Sequence, residues 1–205
     1  MTVSTAADTT ATELLEHEEE KSLDSREFGF WVYLMTDAII FALLFATYAV
    51  MSENSASGPT AKELFDLTHT AGETVLLLTS SLTFGLASIA LVHGARTRVV
   101  QWLIVTLILG LGFLAMEIVE FRGMILAGAG PDVSGFLSAF FTLVGTHGLH
   151  VTFGSIAIVI MIGQVLTKGL TAPVASRLRR LGLFWHFLDI VWIGIFSVVY
   201  LPGVM

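Results

Sequence analysis

The chain has 205 residues, of which 55% are hydrophobic and only 13% charged, and its mean hydropathy is +0.82. Soluble domains carry roughly 25% charged residues, so the composition excludes an ordinary water-soluble globule and points to a membrane protein. The formal charge of −7 is mostly local, because positions 1–27 hold eight acidic residues against Lys21 and Arg26. The rest of the chain is nearly neutral and has no basic stripe to neutralise phosphates, which argues against a nucleic-acid partner. Cysteine is absent, so disulfides, thiolate metal sites, iron–sulfur clusters and cysteine nucleophiles are excluded.

Residues 1–27 are acidic and Thr-rich and read as a disordered, solvated cytoplasmic tail. They lack the positive start and apolar core of a secretory signal peptide. Beyond them, a bilayer core about 30 Å thick needs about 20 apolar residues at 1.5 Å each. Five such runs follow, at about 28–51, 72–92, 99–121, 135–165 and 181–201. None shows the period-two alternation of a barrel strand, and lipid tolerates no open sheet edge, so each is a helix. The predicted fold is all-α, a five-helix transmembrane bundle over 28–205.

The first span carries Asp37, one turn after Tyr33. The second opens near Glu73, close to the outer surface, where an interfacial role is favoured, and then holds Thr79, Ser80, Ser81 and Thr83, which suit interhelical hydrogen bonds. Glu117 and Glu120 lie one turn apart near the outer end of the third, where Arg122 could pair with a carboxylate and an interfacial role is favoured. The fourth holds His147 and His150, again one turn apart, with Gly145 and Gly148 allowing close packing. The fifth holds His186 and Asp189 at the same spacing. An ionisable group in a membrane span is costly, so each is a functional candidate.

The links are short and rich in turn residues: Asn54, Gly58 and Pro59 in the first, Gly128, Gly130 and Pro131 in the third, Gly169 and Pro173 in the fourth. Eight basic residues (Lys21, Arg26, Arg96, Arg98, Lys168, Arg177, Arg179, Arg180) share one side, against Lys62 and Arg122 on the other. By the excess of basic residues in cytoplasmic loops, the N-terminus faces the cytoplasm and the C-terminus the periplasm.

Several chemistries compete for this polar set. Glu-x-x-Glu and His-x-x-His on two helices sketch a di-metal bundle, but such bundles use Glu-x-x-His on two helices, and the two pairs are expected at different depths. His147 or His150 with His186 could ligate a haem, as in a haem-b electron carrier. Asp37, His150, His186 and Asp189 could relay protons, since His titrates near neutrality, as in a stand-alone proton-coupled transporter. A polar layer that fixes helix register or holds lipid headgroups needs no reaction at all.

Longer strings narrow these choices. FGFWVYLMTDAIIFALLFATYAVM (28–51), MEIVEF (116–121), GPDVSGFLSAFFTLVGTHGLHV (130–151) and LFWHFLDIVWI (183–193) resemble subunit III of the haem–copper terminal oxidases, most closely the cytochrome o ubiquinol oxidase branch. The resemblance covers the chain beyond the acidic tail, in order. It implies a subunit without redox centres of its own, in a complex that oxidises quinol, reduces dioxygen to water and pumps protons across the bacterial cytoplasmic membrane. Haem and copper would then belong to catalytic subunit I, with subunit II and a small subunit IV as further partners. This chain would support assembly, proton uptake and structural phospholipids while binding no cofactor itself. The family's first shared helix carries a carboxylate, often a carbodiimide-reactive Glu, that falls on Asp37. Glu120 matches its third-helix Glu, and His147, His150, His186 and Asp189 match its HGLH and WHFxD strings. Five spans also fit the quinol branch, since many cytochrome c oxidase versions have two further N-terminal helices; subunit III of a cytochrome c oxidase stays the neighbouring alternative.

Overall fold

A computed structural model describes residues 3–52 and 67–204, with side chains described over 25–52 and 67–203. Asn54, Gly58, Pro59 and Lys62 in the first expected link lie outside the described residues, as do residues 1 and 2 and the side chains of 3–24. The helices are α1 (Val3–Met51), α2 (Leu67–Val92), α3 (Arg96–Leu126), α4 (Gly135–Lys168) and α5 (Ala172–Ile195). A π-helical turn, Phe196–Tyr200, carries α5 into a last short helix, α6 (Leu201–Val204).

Five segments are long and apolar enough to cross a membrane: Ser25–Met51, Leu67–Val92, Arg96–Leu126, Gly135–Lys168 and Ala172–Gly203. Each begins at or before the expected span and ends at or beyond it. Hydropathy locates the part of a helix that matches hydrocarbon, whereas the backbone hydrogen-bond ladder continues through polar residues in the headgroup region. The difference is largest at α5, whose first turns hold Arg177, Arg179 and Arg180. It also appears at the start of the chain. Residues 3–27, expected as a disordered tail, are helical in backbone and continuous with the first span. Their Ala, Glu, Leu and Lys residues are strong helix formers, and a formed helix extends without a new nucleation step.

The chain divides into two units, residues 1–38 and 39–205. The first is the leading part of α1, where the Phe30 and Tyr33 rings pack 5.9 Å apart and Leu34 and Asp37 are buried.

In the second unit, α2, α3, α4 and α5 form a ring in which each helix packs on the next and α5 closes on α2. The turn between α2 and α3 is only His93–Ala95, closed by Gly94 in the left-handed region at φ 66°, where a glycine meets no Cβ penalty. Arg96 at that turn donates to the Leu166 carbonyl near the end of α4. Ser134 caps α4 by accepting a hydrogen bond from the Leu137 N–H, and Gly169, at φ 71°, follows its last turn. Thr171 precedes α5, which has Pro173 in its first turn, a position where no N–H is needed. The later part of α1 lies against α4 and α5: the Phe41 ring centroid is 5.2 Å from that of His150 and 6.3 Å from that of Phe187.

Two tryptophans of α5 fill the centre of the ring. Trp185 is seated where α3 and α4 have only glycine, so that a Cβ at Gly110 or Gly154 would stand 2.9 Å from its ring. Its indole N–H donates to Ser80 Oγ at 3.0 Å. Trp192 donates to Thr74 Oγ1 at 3.1 Å and packs edge-on to Phe113. The outer surface is lined by exposed apolar side chains, among them Ile108, Val119, Phe153 and Ile190. A soluble monomer would not expose so continuous an apolar surface, whereas in lipid it faces a solvent as apolar as itself.

Candidate functional site

The buried carboxylates of the 39–205 unit lie in two groups. One is an acidic patch built from α2, α3 and the π-helical turn. Glu73, one helical turn after His69, is fully buried. His69 Nε2 lies 3.5 Å from Glu73 Oε1, yet neither Glu73 oxygen has a hydrogen-bond partner among the described residues. Glu117 is also buried. Its carboxylate sits against α4 at Gly148, where any Cβ would collide with both carboxylate oxygens. Glu120, one turn on, accepts a hydrogen bond from the Tyr200 hydroxyl at 2.9 Å. Glu73, Glu117, Glu120 and Tyr200 are all within electrostatic reach of one another. The extra residue per turn in Phe196–Tyr200 helps bring the fully buried Tyr200 to this patch.

This corrects two expectations. Glu73 and Glu117 are buried and are not paired with Arg122. They are inside the helix ring, and Arg122 is exposed, with no ion pair to either carboxylate among the described residues. Nor do the Glu and His pairs lie at different depths, because the contact between Glu117 and Gly148 puts the acidic pair level with His147. The place of Glu117 follows from glycine: at Gly148 the missing side chain leaves a gap that the carboxylate fills. Among the described residues, no group of three or more His, Asp and Glu side chains is placed to hold a metal ion.

The second group is a notch on the α2–α5 face. Ser81 Oγ is 2.7 Å from His186 Nδ1, and Asp189 Oδ2 is 3.9 Å from the same nitrogen. Asp189 is buried, and neither of its oxygens has a hydrogen-bond partner among the described residues. The His186 side chain is 42% exposed, so the notch opens outward.

The remaining candidates are dispersed. His147 is fully buried, and neither ring nitrogen finds a hydrogen-bond partner among the described residues. It stacks on Trp192 at 5.3 Å and meets Phe113 edge-on at 5.7 Å. His150 turns its Nδ1 to the Thr146 carbonyl at 2.7 Å in its own helix. Asp37 belongs to the first unit, where it is buried and interacts with the Tyr33 hydroxyl. The structure therefore brings together His186 and Asp189 as the spacing suggests, and sets His147 and His150 against the same Phe41 ring. It adds Tyr200 as a participant and places Ser81 beside His186 and Glu73 beside His69. The interruption of α2 by a row of hydroxyl residues was the available signal for Ser81. Nothing local signals Tyr200, whose partner is 80 residues away.

Comparison with known proteins gives the family. A family model described as cytochrome c oxidase subunit III matches residues 10–204. The chain is 55% identical over 177 residues to the cytochrome bo(3) ubiquinol oxidase subunit 3 of Pseudomonas putida, covering 86% of each chain. It is 50% identical over 192 residues to the protein of that name from Pseudomonas aeruginosa, covering 92% of each. The quinol oxidase subunit 3 of Bacillus subtilis is 43% identical over 175 residues, 85% of this chain and 86% of that one. A match across this much of the chain, on a helical fold with five membrane-length helices, is a shared family: the chain belongs to the cytochrome c oxidase subunit III family.

Proposed function

We propose that this chain is the non-catalytic subunit III of a proton-pumping haem–copper ubiquinol oxidase in a bacterial cytoplasmic membrane. The observation that carries this reading is 50–55% identity, over most of both chains, to two subunits named for that complex. Haem and copper would reside in catalytic subunit I, and subunits II and IV would complete the assembly. The basic residues at the α2–α3 turn and the α4–α5 link, Arg96, Arg98, Lys168, Arg177, Arg179 and Arg180, support a cytoplasmic position for that end and for the N-terminus. The C-terminus then faces the periplasm.

In this reading the buried polar residues serve a neighbour's chemistry. Asp37 is proposed to support lipid retention or proton uptake from the cytoplasmic side, Glu120 and His147 to set the packing of α3, α4 and α5, and His150, His186 and Asp189 to hold helix contacts. Polar contacts and small-residue packing suit this role, because lipid supplies no hydrophobic drive between helices.

The test is donor specificity. A complex captured through a tag on this chain is expected to consume dioxygen with ubiquinol and not with reduced cytochrome c. Turnover with cytochrome c alone would place the chain in the other branch. A chain that elutes without haem proteins and drives proton-coupled transport in liposomes would overturn the oxidase reading. Asp37→Asn is expected to leave the haem spectrum of the complex intact while shortening sustained turnover; loss of haem would contradict it.

A further inference from the structure

The notch at Ser81, His186 and Asp189 is unusual because of where it opens. Ser81 lies 14 residues into α2 and His186 the same number into α5, so both sit about 21 Å along their helices at 1.5 Å per residue. Each is more than ten residues from the far end of its span. His186 is six residues, about 9 Å, past Arg180, which puts the notch inside the hydrocarbon layer, in the half nearer the basic end of the bundle. Yet His186 is 42% exposed there, and the rim around it is apolar and open: Leu78, Leu82, Leu183 and Ile190 are all exposed. A polar side chain facing acyl chains at this depth is costly.

We propose that this notch receives a transmembrane helix of a neighbouring oxidase subunit, which inserts a hydrogen-bond donor side chain within the hydrocarbon layer. Charge complementarity selects the occupant. The notch offers a carboxylate, both of whose oxygens lack a hydrogen bond among the described residues, beside an imidazole whose Nδ1 is already engaged by Ser81. Its complement is a donor, and acyl chains have none. Phospholipid headgroups carry donors but reside outside the hydrocarbon layer. A helix from another subunit supplies a donor at the right depth and apolar side chains for the rim. The inference rests on the proposed membership of an oxidase complex.

The experiment uses the intact complex in native membranes. A photoreactive benzoylphenylalanine is placed at Leu183 or Leu82, both exposed rim positions, and adducts are scored only in complexes that retain haem. The expected result is a covalent adduct to another subunit from at least one position. Adducts to lipid alone from both positions, in a haem-bearing complex, would overturn the docking proposal while leaving the function standing. A wild-type chain that copurifies with no haem protein would overturn the function and the docking together. As a second readout, His186→Ala is expected to lower retention of this chain in detergent-washed complex about threefold to tenfold, the scale of one interhelical polar contact. His186→Gln, which keeps a donor and an acceptor, should recover most of it. Equal retention in both variants would count against the notch as a contact.

Discussion

The acidic patch and the α2–α5 notch are built from similar parts and differ in closure. Each places a carboxylate in the membrane-spanning bundle without a hydrogen bond among the described residues, Glu73 in one and Asp189 in the other. Around Glu73, Glu117 and Glu120, the π-helical turn contributes Tyr200 and α4 presents Gly148, so Glu73 and Glu117 are enclosed by the chain's own helices while Glu120 is half-buried. Around Asp189, the α2–α5 face ends at a half-exposed His186. A sealed polar group acts on the fold of its own chain, whereas an open one acts on whatever covers it. Substitutions in the two regions should therefore separate stability from assembly.

The largest effect should come from neither region but from the close packing of α4 on α5 at Trp185. Gly154→Val puts a branched side chain where a Cβ already comes within 2.9 Å of the Trp185 ring. Overpacking of this kind costs about 1–3 kcal/mol, and thermal unfolding of the purified complex should show selective loss of this chain. An unchanged midpoint would mean that α4 and α5 are not in contact as described. Next is Tyr200→Phe, which removes the donor to Glu120 Oε2. Loss of this part-buried hydrogen bond costs about 0.5–1.5 kcal/mol, so the chain itself should become less stable in detergent even when dissociated from its partners. Stability that falls only in the complex would assign the patch to an interface and erase the contrast. The smallest is Ser81→Ala. One interhelical polar contact in a membrane averages about 0.6 kcal/mol, and the loss should appear as weaker retention in the complex with little change in the isolated chain.

The sequence makes the five spans legible because a hydrophobic run of bilayer length has few other uses. It also exposes His186 and Asp189, since residues three apart on a helix share a face and both are costly in lipid. Helix lengths are less legible, because Arg177, Arg179 and Arg180 look like loop residues to a hydropathy reading yet extend α5 in the headgroup region. The location of Glu73 and Glu117 is not legible at all. Closeness to a span end suggests an interface, and only the pairing of Gly148 with Glu117 and of Tyr200 with Glu120, both set by packing of distant segments, places them inside. The same holds for Trp185, whose seat depends on Gly110 and Gly154 from two other helices. Glycines within a span mark close approach without naming what approaches.

The central claim, that this chain serves a haem-bearing oxidase without carrying a redox centre, is tested most directly by spectra before and after dissociation. The complex captured through this chain in mild detergent should show haem absorption bands, and separation of the subunits should leave this chain colourless while the bands stay with its partner. Haem bands that remain on the isolated chain, or a wild-type capture with no haem at all, would contradict the account.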